Sequence, residues 1–137
     1  MSANARRFLD TNVLIYAFAE GDPKADTALT VLGGGGMISV QVLNELAAVA
    51  HRKLKMSWRE ITDALDAIRV LCPSPMPVTE DMHDAASRLA AQHGFHIYNA
   101  LIVAAALEAN CTILYSEDLQ SGQVIEGRLT IQNPFLP

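Results

Sequence analysis

Residues 7–19 read RFLDTNVLIYAFA and contain the first change from strand to helix in the chain. The short apolar run at residues 7–10 predicts a buried strand that ends in an acid, Asp10. Thr11 and Asn12 follow it with side chains that are typical of a helix N-cap, so we expect a helix over residues 13–19. A strand that leads directly into a helix is the first half of a βαβ unit.

The same alternation continues through the rest of the chain. Helical spacing of apolar residues predicts further helices, whose ends are marked by signals such as the Ser57–Glu60 capping box and Gly94. The glycine run at residues 33–36 predicts a flexible turn, because it lacks the spacing of a phosphate-binding loop. We expect helices over residues 13–19, 22–33, 41–54, 57–71, 79–92 and 97–109, and strands over residues 7–10, 37–39, 77–79, 112–115 and 129–131.

Strands that alternate with helices of this length predict a parallel sheet that is covered on both faces. We therefore expect an α/β fold, a three-layer α/β/α sandwich with a central parallel sheet. The length of 137 residues fits a single domain over residues 1–137. In such sheets a functional site lies beyond the carboxyl ends of the strands.

Composition narrows the class of protein. Half of the residues are hydrophobic and 18% are charged, which excludes an intrinsically disordered chain. Ten Lys and Arg residues against fifteen Asp and Glu residues give a net charge of −5, which is not the balance of a strongly basic nucleic-acid-binding protein. The excess of acids fits either ordinary solubility or carboxylates that are gathered around a metal ion.

The chain carries no signal of export or membrane insertion. No apolar run approaches the ~20 residues of a membrane span, and no apolar segment precedes residue 8 as in a signal peptide. Cys72 and Cys111 are far apart in sequence and predict buried thiols without a disulfide. We expect a cytoplasmic protein.

Three acids and one amide fall near the same end of the predicted sheet. Asp10 ends the first strand, and Asp118 follows the strand at residues 112–115. Glu45 lies early in the helix after Ser39, and Asn99 lies near the start of the helix at residues 97–109. Taken singly, each has an ordinary explanation as a cap, turn or surface residue. Taken together, crowded carboxylates need a cation, and Mg²⁺ or Mn²⁺ prefers such oxygen ligands.

Four segments in order resemble the motifs of PIN-domain proteins. They are residues 8–16 (FLDTNVLIY), 39–46 (SVQVLNEL), 97–105 (IYNALIVAA) and 114–119 (LYSEDL). Among PIN domains, the length and motifs are similar to those of the VapC toxins of bacterial toxin–antitoxin pairs. The resemblance implies a PIN-like fold and an endoribonuclease that depends on Mg²⁺ or Mn²⁺ and cleaves tRNA, rRNA or mRNA. It also implies a VapB-like antitoxin as partner and a homodimer.

The resemblance assigns roles to particular positions. Asp10, Glu45, Asn99 and Asp118 match the catalytic positions, of which the three acids would hold the metal. Asn12 and Ser116 would be supporting polar groups.

Asn99 departs from the family pattern, which has Asp at this position. An amide keeps the shape of the carboxylate but loses its charge, so a second metal is in doubt and the chain is expected to be a poor catalyst. The amide either belongs to the natural protein or replaces an Asp to silence a toxic nuclease, and we favour the second interpretation.

The basic run at the end of the third predicted helix has three interpretations. Arg52, Lys53 and Lys55 either form a solvated helix end or contact RNA phosphates. They could instead meet an acidic segment of an antitoxin. The aromatic residues Trp58 and Tyr98 are expected to be packing or interface residues rather than surfaces for base stacking.

Two alternatives to the nuclease come from other classes of protein. A phosphorylated receiver module would need a late lysine beside its acids, and no lysine follows Lys55. A non-catalytic PIN-fold protein could use the acidic pocket to dock a basic segment of a partner, and Asn99 is compatible with that function.

Overall fold

The computed structural model describes residues 6–137 and contains six helices and four strands within them. The helices are α1 (Thr11–Ala17), α2 (Ala25–Gly33), α3 (Val40–Arg52), α4 (Trp58–Leu71), α5 (Glu80–His93) and α6 (Ile97–Glu108). The strands are β1 (Arg7–Leu9), β2 (Ile113–Tyr115), β3 (Val124–Ile125) and β4 (Leu129–Gln132). Every predicted helix is present, with ends that differ from the predicted ones by at most three residues.

The strands form one sheet in the order β1-β2-β4-β3. β1, β2 and β4 are parallel, and Leu9 pairs with Tyr115 at the end of β1. These three strands form the predicted central parallel sheet, and the edge strand β3, which was not among the predicted strands, is antiparallel to β4. The reason is local: only three residues separate Ile125 from Leu129, which is too short for the crossover that a parallel pair requires.

The predicted strands at residues 37–39 and 77–79 are reduced to single bridges. Met37 pairs with Phe8, and Ser39 pairs with Met76. The second pairing lies one residue before the predicted strand because Pro77 has no N–H to donate. Residues 77–79 are not a strand.

The helix caps follow the sequence signals except at α1 and at α2, which begins three residues later than predicted. Ser57 and Glu60 form the predicted capping box, and Gly94 ends α5 in the left-handed conformation. The N-cap of α1 is Asp10, one residue before the predicted pair. Asp10 takes this position because its carboxylate accepts the N–H of Thr11.

The core lies on both faces of the sheet. The neighbouring residues Phe8 and Leu9 point to opposite faces of β1, and both are fully buried. Helix α6 is buried at every residue from Ala100 to Leu107 and packs against α5. Helices thus cover both faces in the predicted three-layer α/β/α sandwich.

The glycine run after α2 forms a turn that packs against Arg7. A Cβ on Gly36 would lie 2.9 Å from the carbonyl oxygen of Arg7, so only glycine fits there. The guanidinium of Arg7 donates to the carbonyl oxygen of Gly35 at 2.7 Å. Cys72 and Cys111 are buried free thiols, as predicted. None of the helices within residues 6–137 has the length and apolar character that a membrane crossing requires.

Candidate active site

Asp10 lies where β1 passes into α1, and its side chain is only 3% exposed. Oδ1 accepts the N–H of Thr11 at 2.6 Å, and Oδ2 accepts the hydroxyl of Ser116 at 2.8 Å. Burial is the main cause that raises the pKa of Asp10 to about 6, against the lowering effect of these two hydrogen bonds. The carboxylates of Asp118 and Glu45 raise the pKa further.

Glu45 reaches the same place from α3. Its Oε1 accepts the hydroxyl of Thr11 at 2.7 Å, so α3 presents Glu45 to the start of α1. The sequence left open which way Asn44 and Glu45 face, because they lie at the boundary of the apolar side. Both line the cleft.

An open cleft of about 700 Å³ lies beyond the carboxyl ends of β1 and β2. Because these strands are parallel, the residues that follow them meet at one edge of the sheet. The cleft contains all four predicted catalytic residues, Asp10, Glu45, Asn99 and Asp118, together with Asn12. Its other lining residues are Thr11, Ile15, Gln41, Asn44, Ala48, Val49, Arg52 and Tyr98.

The loop that carries Asp118 is held through its neighbour Glu117. The N–H of Glu117 donates to Oδ1 of Asn12 at 3.2 Å, and its carboxylate accepts the hydroxyl of Tyr16 at 2.8 Å. Lys24 pairs with the same carboxylate. Sequence reasoning did not find this network, and no spacing signal could have shown it, because Tyr16 and Lys24 are about a hundred residues away in the chain.

The donor chemistry of the cleft suits a divalent cation such as Mg²⁺. Carboxylate oxygens from Asp10, Glu45 and Asp118 enter one cleft, and the last two affect the pKa of the first. Within residues 6–137, however, no three Asp, Glu, His or Cys side chains converge closely enough to form a complete metal centre. The residues therefore fit a hard cation by donor type, whereas the described side chains do not enclose a metal position.

The rim of the cleft carries one cation and one aromatic ring. Arg52, on the last turn of α3, lines the cleft, whereas Lys53 and Lys55 are exposed outside its lining. Tyr98 lines the cleft and is 53% exposed, so it is not a core packing residue. Trp58 lies outside the lining and stacks on His51, with ring centroids 4.4 Å apart.

A sequence model of the PIN domain matches residues 7–124 of the chain. The chain belongs to the PIN-domain family. No curated protein sequence is a significant match to this PIN domain.

Solved structures with this fold include bacterial toxins. VapC20 of Mycobacterium tuberculosis, a sarcin-ricin loop cleaving toxin, is 22% identical, with a TM-score of 0.66 over 80% of this chain and 88% of that one. A toxin–antitoxin complex from Klebsiella pneumoniae is 19% identical, with a TM-score of 0.71 over 94% of this chain and 98% of that one. VapBC2 from Rickettsia felis, bound to a promoter DNA fragment, is 21% identical, with a TM-score of 0.61 over 93% of this chain and 97% of that one. At these identities the likeness shows the fold.

Proposed function

We propose that this PIN domain is a VapC-like toxin, an endoribonuclease that depends on Mg²⁺ or Mn²⁺ and cleaves tRNA, rRNA or mRNA. The observation that carries the proposal is that Asp10, Glu45 and Asp118 all line one cleft at the carboxyl edge of the sheet. The fold likeness to a sarcin-ricin loop cleaving toxin supports an RNA substrate.

Asp10, Glu45 and Asp118 would hold the metal, and Asn99 occupies the fourth catalytic position. The bound ion would supply an activated water and polarise the scissile phosphate. Asn12 supports the site by holding the loop of Asp118, through the N–H of Glu117. Asn99 leaves the site one carboxylate short, which weakens the affinity for a cation.

The protein's own part in the chemistry is to orient Asp10 before a metal binds. The N–H of Thr11 and the hydroxyl of Ser116 occupy one lone pair on each carboxylate oxygen and fix the plane of the group. Because its pKa is about 6, Asp10 is largely ionised at neutral pH and ready to accept a cation.

The partners follow from the same proposal. Arg52 contacts RNA phosphate at the cleft, and Lys53 and Lys55 extend the cationic surface beyond it. The complexes among the structural relatives support a VapB-like antitoxin as partner. A homodimer and a cytoplasmic location complete the proposal.

The test compares cleavage of total RNA by the chain and by its Asn99→Asp variant, each with Mn²⁺ or Mg²⁺ and with EDTA. We expect metal-dependent cleavage by Asn99→Asp, much weaker cleavage by the chain with Asn99, and none by Asn99→Asp combined with Asp10→Ala. Asn110→Asp is the matched control, because it adds the same charge outside the cleft. Restoration of RNA cleavage by Asn110→Asp, or cleavage that continues in EDTA, would contradict the assignment of Asn99 to a metal-dependent catalytic site.

Asn99 also favours a second candidate, a non-catalytic protein whose acidic cleft docks a basic partner segment. This candidate predicts that Asn99→Asp cleaves no RNA and binds a Lys- and Arg-rich peptide more tightly than the chain with Asn99 does. RNA cleavage and peptide binding, measured for the chain with Asn99 and for its Asn99→Asp variant, therefore distinguish the nuclease from the binding protein.

A further inference from the structure

Tyr98 is exposed on a helix that otherwise buries its apolar residues. Residues 100–107 of α6 are all buried, whereas the Tyr98 ring, in the first turn, is 53% exposed. The ring of the N-cap residue His96 is next to it, with ring centroids 5.4 Å apart and an interplanar angle of 33°. A tyrosine ring that is exposed in a cleft is available for contact with a ligand.

The remaining lining of the cleft indicates what kind of ligand suits this ring. Asp10, Glu45 and Asp118 lie in the same cleft, and among the described residues 6–137 Arg52 is the one Lys or Arg side chain that lines it. The guanidinium of Arg52 offers a contact for an anionic group of a ligand. An RNA nucleotide has both a flat ring and a phosphate and so suits this pair of side chains.

We propose that Tyr98 and Arg52 form a nucleotide subsite beside the acids, in which Tyr98 stacks on a base and Arg52 binds a phosphate. The subsite rests on the proposed function, because it assumes that RNA enters this cleft. It restricts the substrate to RNA with an unpaired nucleotide next to the cleaved bond, since a base inside a duplex has no free face to stack on a side chain.

The test is binding of two fluorescent eight-nucleotide RNA probes, measured by anisotropy in the presence of Mg²⁺. One probe is oligoadenylate, and the other has the same backbone with abasic riboses. A gel after each titration verifies that the probes are intact. For the unchanged chain we expect the base-bearing probe to bind about tenfold more tightly than the abasic one.

The variants separate stacking from charge. Tyr98→Ala should lower affinity for oligoadenylate about tenfold and leave the abasic probe unaffected, whereas Tyr98→Phe should retain the preference. Arg52→Ala should weaken the binding of both probes to the same extent. Arg69→Ala is the matched control, because Arg69 lies outside the cleft and pairs with Asp66. Thermal unfolding of each variant verifies that it is folded.

Each contrary outcome has a distinct meaning. Equal binding of the two probes by the unchanged chain, or an equal loss for both in Tyr98→Ala, overturns the stacking subsite and leaves RNA as the substrate. Binding of neither probe overturns the subsite together with the proposed function. Unaltered affinity of Tyr98→Ala for both probes overturns the subsite and points to Tyr98 as a contact for a protein partner.

Discussion

Asp10 and Asp118 line one cleft, but the fold holds the two acids in opposite ways. Asp10 is nearly fully buried, and both of its carboxylate oxygens accept hydrogen bonds from the protein. Asp118 is exposed, and what holds its loop is the neighbouring residue Glu117. One acid is fixed by its own side chain, and the other is placed by the backbone that carries it.

This difference separates the roles of the two acids in stability and in chemistry. A buried carboxylate costs folding free energy when it is ionised, even where it is hydrogen-bonded. An exposed carboxylate costs little, because water solvates it. Changes at Asp10 should therefore affect both folding and activity, whereas changes at Asp118 should affect activity alone.

The largest expected effect is the loss of cleavage on Asp10→Asn, made in the chain that carries Asn99→Asp. Losing the most rigidly held charge should lower the initial rate about 10²- to 10³-fold at saturating Mn²⁺. Asp66→Asn is the matched control, because Asp66 is exposed and pairs with Arg69 away from the cleft. A rate close to that of the control would show that Asp10 is not part of the site.

The second effect of Asp10→Asn is on stability, where the substitution should be favourable rather than harmful. The pKa of Asp10 rises from 3.8 to about 6 on folding, so its ionisation opposes folding. This penalty is absent below pH 3.8, grows as the pH rises, and is complete above about pH 6. Two pKa units correspond to about 3 kcal/mol, so Asp10→Asn should raise the free energy of unfolding by up to that amount at pH 7.5.

Urea unfolding in EDTA between pH 4 and pH 7.5 measures this effect. The increase in the free energy of unfolding of Asp10→Asn should become smaller towards pH 4. Asp118→Asn should change the free energy of unfolding by less than about 0.5 kcal/mol at every pH in this range. A gain for Asp10→Asn that is independent of pH would mean that burial does not control the ionisation of Asp10.

The contrast between the two acids also shows what the sequence could predict. Asp10, Glu45, Asn99 and Asp118 could be placed together because each lies next to a strand or helix end whose direction the parallel sheet dictates. The capping box at Ser57 could be predicted because its signal spans four residues. The cap at Asp10 was displaced by one residue because Thr11 and Asn12 have the same capping chemistry.

Features that depend on long-range contacts could not be predicted in this way. The pairing of Glu117 with Tyr16 and Lys24 joins residues about a hundred positions apart, and many other partners fit their charges. The exposure of Tyr98 was hidden because α6 is apolar on every side, so periodicity does not distinguish its faces. The two-residue strand β3 is too short for an alternating pattern.

The third effect is the loss of stability when the Ser116 hydroxyl that donates to Asp10 is removed. Ser116→Ala leaves Oδ2 of Asp10 without its donor in a buried position, which should cost about 1–2 kcal/mol at pH 7.5. The cost should be smaller at pH 4, where Asp10 carries less charge. Ser87→Ala is the control, because Ser87 is exposed on α5. An equal loss at both pH values would indicate that Ser116 acts by packing rather than through the carboxylate.

The smallest effect should come from the network that places Asp118. Tyr16→Phe removes the hydroxyl that Glu117 accepts but keeps the ring, whose centroid lies 5.0 Å from that of Phe135. Because Lys24 still pairs with Glu117, the free energy of unfolding should fall by only about 0.5–1 kcal/mol. In the chain with Asn99→Asp, the Mn²⁺ concentration for half-maximal activity should rise a fewfold, since the loop of Asp118 becomes less ordered. Tyr115→Phe is the control, because Tyr115 lies outside the cleft lining. A shift in the Mn²⁺ requirement as large as that of Asp118→Asn would mean that Tyr16, rather than the backbone contact of Glu117 with Asn12, sets the position of the exposed acid.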